Sequence, residues 1–205
     1  MIDNINIFEN FLSTEECGNI LNKCKEELTL SDAKVYNNNS NTLQTKTTRK
    51  SSIGWISDLG FLNKRLTNKL RETFNINGME VTGIGPFQFT EYNIGEYYGW
   101  HNDAGLATQY KPQSVGNRAE GLANDFVNEN IELVRKLSFS LQLSSPDDYE
   151  GGNVQLLAED GSSYIAPRKR GTIVLFDSRT QHRVLKVTKG TRKSIVGWVV
   201  GKRWS

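Results

Sequence analysis

The sequence predicts a mainly β domain, a sandwich or jelly-roll barrel with flanking α-helices, and three observations carry that prediction. From Glu80 onward the chain runs in short segments rich in Val, Ile, Phe and Tyr, punctuated by Gly and Asn. No helical period intervenes between those segments, which favours a closed or layered β core. The two clear amphipathic stretches both lie before residue 79. The 205 residues suit one domain, with 1–78 as a helical N-terminal support and 79–205 as the jelly-roll core.

Near the start, Ser13-Thr-Glu-Glu16 spells a capping box, so a helix is expected from about Thr14 to Leu28. Asn37 to Thr48 is rich in Asn, Ser and Thr, which bond their own backbone, and reads as a mobile loop. A second helix fits Asp58 to Phe74, with Leu62, Leu66, Leu70 and Phe74 stacked at four-residue spacing. Strands are expected over Glu80–Tyr92, Lys136–Leu143, Gly152–Leu157, Ser163–Ala166, Thr172–Phe176, His182–Val187 and Ser194–Val200. Ala104 to Val134, with its Gly, Asn, Gln and Pro, interrupts this run and reads as an active-site lid.

Composition narrows the function classes. With 25 Lys and Arg against 23 Asp and Glu, mixed along the chain for a net charge of +2, nothing points to nucleic acid. Cys17 and Cys24 lie two helical turns apart, roughly 10 Å, beyond disulfide reach. They are expected to be reduced. No apolar stretch reaches membrane-spanning length and no basic region precedes an apolar run at the N-terminus, so no membrane role and a cytoplasmic location are expected.

Only two histidines occur. His101 stands two residues before Asp103, and on a strand residues i and i+2 share a face, so an imidazole and a carboxylate can meet one ion. Alone, the same spelling fits two exposed polar residues at a strand end. His182 opens a strand after the turn Asp177-Ser-Arg-Thr-Gln, where a ligand from across a barrel would arise, or where a histidine caps the turn. One His-x-acid pair plus a distant His is the ligand set of the facial triad that holds ferrous iron. Arg192 opens an inward-facing strand with Ser194 two residues on, which suits an anion pocket; the alternative is a solvated cluster of Lys189, Arg192 and Lys193.

The ordered motifs Tyr92-Asn-Ile-Gly-Glu-Tyr-Tyr98-Gly-Trp100-His101-Asn-Asp103, Leu137 to Leu143 with Glu150-Gly-Gly152, Gly171 to Phe176, and His182 to Trp198 resemble the iron(II)- and 2-oxoglutarate-dependent dioxygenases of the prolyl 4-hydroxylase-like branch. The resemblance runs from about Phe8 to Val199 and is strongest after Thr82. It implies a double-stranded β-helix, with His101, Asp103 and His182 as iron ligands. It further implies Arg192 as the partner of the far carboxylate of 2-oxoglutarate, with Ser194 and Tyr92 as further cosubstrate contacts. The implied cofactors are Fe(II), 2-oxoglutarate and O2, with ascorbate as a candidate reductant.

Two departures matter: collagen-type relatives usually place Lys where Arg192 stands, and Gly151-Gly-Asn-Val-Gln-Leu lacks their acidic residue and Thr. The last motif is closer to the bacterial PKHD-type hydroxylases. The expected reaction hydroxylates a peptidyl residue, foremost proline, in a protein or peptide substrate, releasing succinate and CO2. On the acceptor side stand Arg49, in Arg49-x-Ser51 followed by Gly54, with Tyr98 and Trp100. The rival readings are the same chemistry on a free amino acid, another small molecule or a nucleobase, and a metal-free barrel acting as a binding module.

Overall fold

Ser13 and Glu16 do what their spacing predicts. In the computed structural model, which describes residues 5–33, 35–37, 42–44, 48–77, 83–84, 86–104, 109–110 and 133–202, the Glu16 amide donates to Ser13 Oγ at 3.1 Å and the Ser13 amide donates to Glu16 Oε2 at 2.8 Å. This capping box opens helix α1 (Thr14–Glu27). Helix α2 (Phe61–Asn77) begins later than the expected Asp58, because Asp58 Oδ1 accepts from the Gly60 amide at 2.7 Å and Gly60 adopts φ of +58°. Asp58 is thus spent on a turn before the helix. Arg65 of α2 ties the two helices together, donating to both Glu16 carboxylate oxygens at 2.8 and 2.6 Å and to the Phe11 carbonyl at 3.0 Å.

The large sheet is antiparallel and runs, in spatial order, Ile5–Phe8, Ile173–Asp177, Leu133–Gln142, Arg192–Lys202, Phe87–Tyr92, Ser52–Ile56 and Ser31–Asp32, with Gly83–Ile84 and Gln109–Tyr110 paired at its sides. A smaller sheet runs Ser163–Ile165, Val154–Leu157, His182–Val184, Tyr97–His101 and Arg49–Lys50. The N-terminal third therefore contributes Ile5–Phe8 and Ser52–Ile56 to the large sheet as well as two helices. The expected strand His182–Val187 divides in two, and its second part, Val187–Gly190, pairs with Tyr149–Gly151. Within the expected loop 37–48, Thr42–Gln44 pairs with Val35–Asn37, while 38–41 and 45–47 lie outside the described residues. Most of the expected lid, 105–108 and 111–132, also lies outside them. Among the described residues no helix is long and apolar enough to cross a membrane.

The central strands bury both faces, and the two faces differ. Leu137, Phe139 and Leu141 alternate with Ser138, Ser140 and Gln142; Ile195 and Val199 alternate with Arg192, Ser194 and Trp198; Phe87 and Phe89 alternate with Gln88, Thr90 and Tyr92. The apolar set packs against Cys17, Ile20 and Cys24 of α1 and Leu62, Leu66 and Leu70 of α2. Gly197 leaves room there for the Phe139 ring, whose Cζ would lie 2.5 Å from any added Cβ. The polar set faces the smaller sheet, as shown by Arg49 reaching Gln88 and by Phe176 packing edge-on against His182. Burying that many polar groups costs free energy unless each finds a partner, so this interior is where function is to be sought.

The Glu16–Arg65 pair makes a pH-dependent contribution. The Arg65 hydrogen bond, joined by the Ser13 amide, lowers the Glu16 pKa from 4.5 to about 2. A depressed carboxylate stabilises the fold above its unfolded pKa and loses that contribution as pH falls. Because both side chains are partly exposed, the effect is discounted to about 1 kcal/mol. In urea titrations Glu16→Gln is therefore expected to be less stable than the parent at pH 7, with the gap closing between pH 4.5 and 2. A gap that stays constant over that range would remove the pair from the account.

Candidate active site

Antiparallel pairing of Tyr97–His101 with His182–Val184 sets His101 directly opposite His182, and a register shift then sets Tyr98 opposite Val184. Three residues on one strand thus span two on the other, a bulge. The bulge turns Tyr98 to the same side as His101, and their rings stack with centroids 3.5 Å apart. The two imidazole centroids are 4.1 Å apart. Asp103 is not on the strand, contrary to the spacing argument. It follows the strand end in a bend where its amide and that of Ala104 donate to the Ser178 carbonyl at 2.8 and 2.9 Å.

The donor atoms of His101, Asp103 and His182 all lie within 4.8 Å of one another. Asp103 Oδ1 is 3.7 Å from His101 Nε2 and Oδ2 is 3.6 Å from His182 Nε2, too long for hydrogen bonds. These spacings suit donors converging on one ion at about 2 Å from each. The other ring nitrogens are occupied: His101 Nδ1 is 2.8 Å from the Gly99 carbonyl and His182 Nδ1 is 3.0 Å from the Thr180 carbonyl. A carbonyl accepts only, so each Nδ1 carries a proton and each Nε2 is the atom turned toward Asp103, free to serve as a metal donor. Burial, helped by the neighbouring His182, pulls the His101 pKa down to about 3, keeping that ring neutral. For Asp103, burial opposes ionisation, but the two imidazoles, the Arg135 guanidinium and the Ser138 hydroxyl outweigh it and hold the pKa below the usual value. Neutral imidazole with carboxylate is the donor set that a divalent first-row metal takes.

Arg192 is among the most deeply buried side chains of the described chain, at 2% exposure. Its Nη1 donates to Ser194 Oγ at 3.1 Å and its Nη2 to Ser140 Oγ at 3.4 Å. Its guanidinium lies 5.6 Å from the Tyr92 ring centre, and Tyr92 is its cross-strand neighbour. Among the described residues no carboxylate pairs with it. Lys193, one residue on, points to the other face and meets Glu91 at 3.5 Å. Arg192, Ser194 and Tyr92 therefore lie together in the interior, and Lys193 lies apart from them.

The acceptor-side expectations divide. Arg49 is buried, with its guanidinium 4.6 Å from the centre of the Tyr98 ring, so these two residues join His101 in one stack. Burial pushes the Tyr98 phenol up to about 12, so it stays protonated. Trp100 is not brought to the cluster. It is 43% exposed and lies under the Arg183 guanidinium at 4.6 Å, on the face that alternates with His182 and Val184. Residues not singled out from sequence also line the interior. Ser138 joins Asp103 and Ser178, Ser140 joins Arg192, and the buried Trp198 ring sits between Arg135 at 3.7 Å and Trp55 at 5.9 Å. Their signal was present: Ser, Ser and Gln recur at every second position of the apolar run Leu137 to Leu143.

Comparison with known proteins agrees with this geometry. The chain is 29% identical over 165 residues to a PKHD-type hydroxylase of Gloeothece citriformis and 31% identical over 166 residues to one of Picosynechococcus, covering 73% of this chain and 64% of each relative. It thus spans less than two thirds of the length of those relatives. In fold it is similar to a Pseudomonas putida prolyl-4-hydroxylase, with TM-score 0.64 and 19% identity over all of both chains. A prolyl hydroxylase of Trichoplax adhaerens, solved in complex with a hypoxia inducible factor peptide fragment, gives TM-score 0.68 at 17% identity over 96% of this chain and 83% of that one. These neighbours support the jelly-roll core expected for the two facing sheets. Residues 87–200, which hold every residue of the triad and of the Arg192 pocket, match the 2OG-Fe(II) oxygenase superfamily, and to that family the chain belongs.

Proposed function

We propose that this chain is an Fe(II)- and 2-oxoglutarate-dependent dioxygenase that hydroxylates a peptidyl residue, proline foremost, and releases succinate and CO2. The observation that carries the reading is the convergence of His101, Asp103 and His182, with both Nδ1 atoms tied to carbonyls so that three donors face one point. The donor set fits ferrous iron, and the buried Arg192, which has no carboxylate partner among the described residues, fits an anion such as the far end of 2-oxoglutarate. When bound, the iron and its cosubstrate supply the activation of dioxygen and the oxidation of an unactivated C–H bond.

The chain's own residues position and shield. Asp103 remains ionised and offsets part of the metal charge, while the neutral imidazoles leave enough residual charge to attract an oxo-acid. Gly99 and Thr180 fix the imidazole tautomers through their carbonyls. Ser138 and Ser140 sit two residues apart on one strand face, about 7 Å. The first touches Asp103 and the second Arg192, so one strand face supports both the carboxylate of the triad and the buried cation. Phe176 against His182 and Tyr98 against His101 keep apolar surface beside the reacting point and limit water. The prolyl hydroxylases of similar fold, one of them solved with a peptide fragment, support the reading of a peptidyl acceptor with proline first.

Anaerobic addition of Fe(II) and then 2-oxoglutarate is expected to give a visible metal-to-ligand charge-transfer band that His101→Ala and His182→Ala abolish. A colourless parent protein would defeat the assignment. Arg192→Ala should raise the 2-oxoglutarate concentration needed for half-maximal colour by about tenfold or more, with Fe(II) affinity largely kept, since one charge-assisted pair is lost. An unchanged requirement would move the anion pocket elsewhere. For the acceptor, peptides with and without proline are screened for succinate release and a mass gain of one oxygen. Tight coupling to a proline-free peptide, or to no peptide at all, would reject proline.

A further inference from the structure

The arginines of this fold are paired in an unexpected way. Arg65 and Arg179, whose side chains are 41% and 59% exposed, each hold a carboxylate through two hydrogen bonds, to Glu16 and Asp177. Arg192 and Arg49, at 2% and 7% exposure, hold none among the described residues. Burial should produce the reverse, because a desolvated charge without a counter-charge is the costlier one. The cosubstrate answers for Arg192. It does not answer for Arg49, which enters the same interior from the opposite sheet.

From this we infer that Arg49 is an anion site for the acceptor, so that the molecule to be hydroxylated presents a carboxylate beside the carbon that reacts. The inference rests on the oxygenase reading above and names the substrate class within it. Arg49 Nε donates to Ser51 Oγ at 2.9 Å and Nη2 to Gln88 Oε1 at 2.9 Å, both neutral acceptors, and Nη1 is uncommitted among the described residues. Gln88 is itself buried, and Thr90 Oγ1 shares its oxygen at 3.4 Å, so the cluster is a built polar site rather than a loose surface arginine. The guanidinium rests on Tyr98, and Tyr98 rests on His101, which puts the cation one ring away from a metal donor.

The interior carboxylates are already engaged: Asp103 faces both imidazoles and Ser138, and Asp177 is taken by Arg179. A backbone carbonyl could fill the vacant hydrogen-bonding position but would leave the charge uncompensated, whereas a carboxylate does both. Two sources share this chemistry, the α-carboxylate of a free or C-terminal amino acid and an acidic side chain next to the reacting residue.

The test measures thermal unfolding of the Fe(II)- and 2-oxoglutarate-loaded protein, kept anaerobic, with acetate or acetamide at matched ionic strength. Acetate should raise the melting temperature and acetamide should not. The acetate response should be lost in Arg49→Gln and partly kept in Arg49→Lys. Apparent acetate affinity should fall about tenfold or more in the glutamine variant, the loss of one charge-assisted pair. Equal effects of acetate and acetamide on the parent protein overturn the inference without recourse to any variant. So does an acetate response that survives in Arg49→Gln. N-acetylglycine compared with an N-acetylated aspartyl amide then separates main-chain from side-chain carboxylates. If the loaded parent lacks its charge-transfer band while acetate still acts through Arg49, the oxygenase reading fails and the anion site stands.

Discussion

Everything in this fold follows from one constraint: its central strands have no face left for solvent. Leu137, Phe139 and Leu141 need an apolar cover, and the two N-terminal helices supply it through Cys17, Ile20, Leu62 and Leu66. The opposite face carries Ser138, Ser140, Arg192 and Ser194, all buried, and an apolar cover there would leave each of them unsatisfied. The smaller sheet meets that need with polar and aromatic groups of its own. A site is therefore not added to a finished barrel; it is what remains when the second face of the large sheet must be satisfied from across a gap.

How much of this could be read beforehand depended on whether the signal was local. The capping box at Ser13 and Glu16 is four residues long and needs no context, so α1 appears where the spacing puts it. His101 and His182 were visible by their rarity, but their meeting is a matter of strand register, which only the pairing of two distant segments decides. Tyr98 and Trp100 show the limit best. Strict alternation puts both on the face opposite His101, and a single-residue bulge brings Tyr98 back while Trp100 stays outside. Nothing in the local spelling except Gly99, whose amide donates to the Thr48 carbonyl at 2.7 Å, marks where that bulge falls.

Asp103 comes close to the two imidazoles by a route other than the one its spacing suggested. The two-residue spacing from His101 suggested a common strand face, yet the strand ends at His101. Asp103 is positioned instead by the Ser178 carbonyl, and Ser178 is itself held by the Lys136 carbonyl and the Ser138 hydroxyl. The carboxylate is thus hung from the large sheet and the imidazoles from the small one. The three donors meet only if the two sheets stand at their correct separation, which makes the triad a gauge of barrel closure.

That division also bears on how such a site can change its acceptor without losing its chemistry. Arg192 lies on an eleven-residue strand flanked by partners on both sides, and His182 on a strand between two others, so their positions are over-determined. Arg49 lies on a two-residue strand at the sheet edge, held by one neighbouring strand and by side-chain bonds to Ser51 and Gln88. Substitution at a short edge disturbs few ladder hydrogen bonds, whereas substitution at the centre disturbs many. His182 and Arg192 are therefore built into the middle of the sheets, and the residue inferred to meet the acceptor, Arg49, lies where the fold can vary it at least cost. The same topology accounts for why the reaction type is the easier property to read from this chain and the acceptor the harder one.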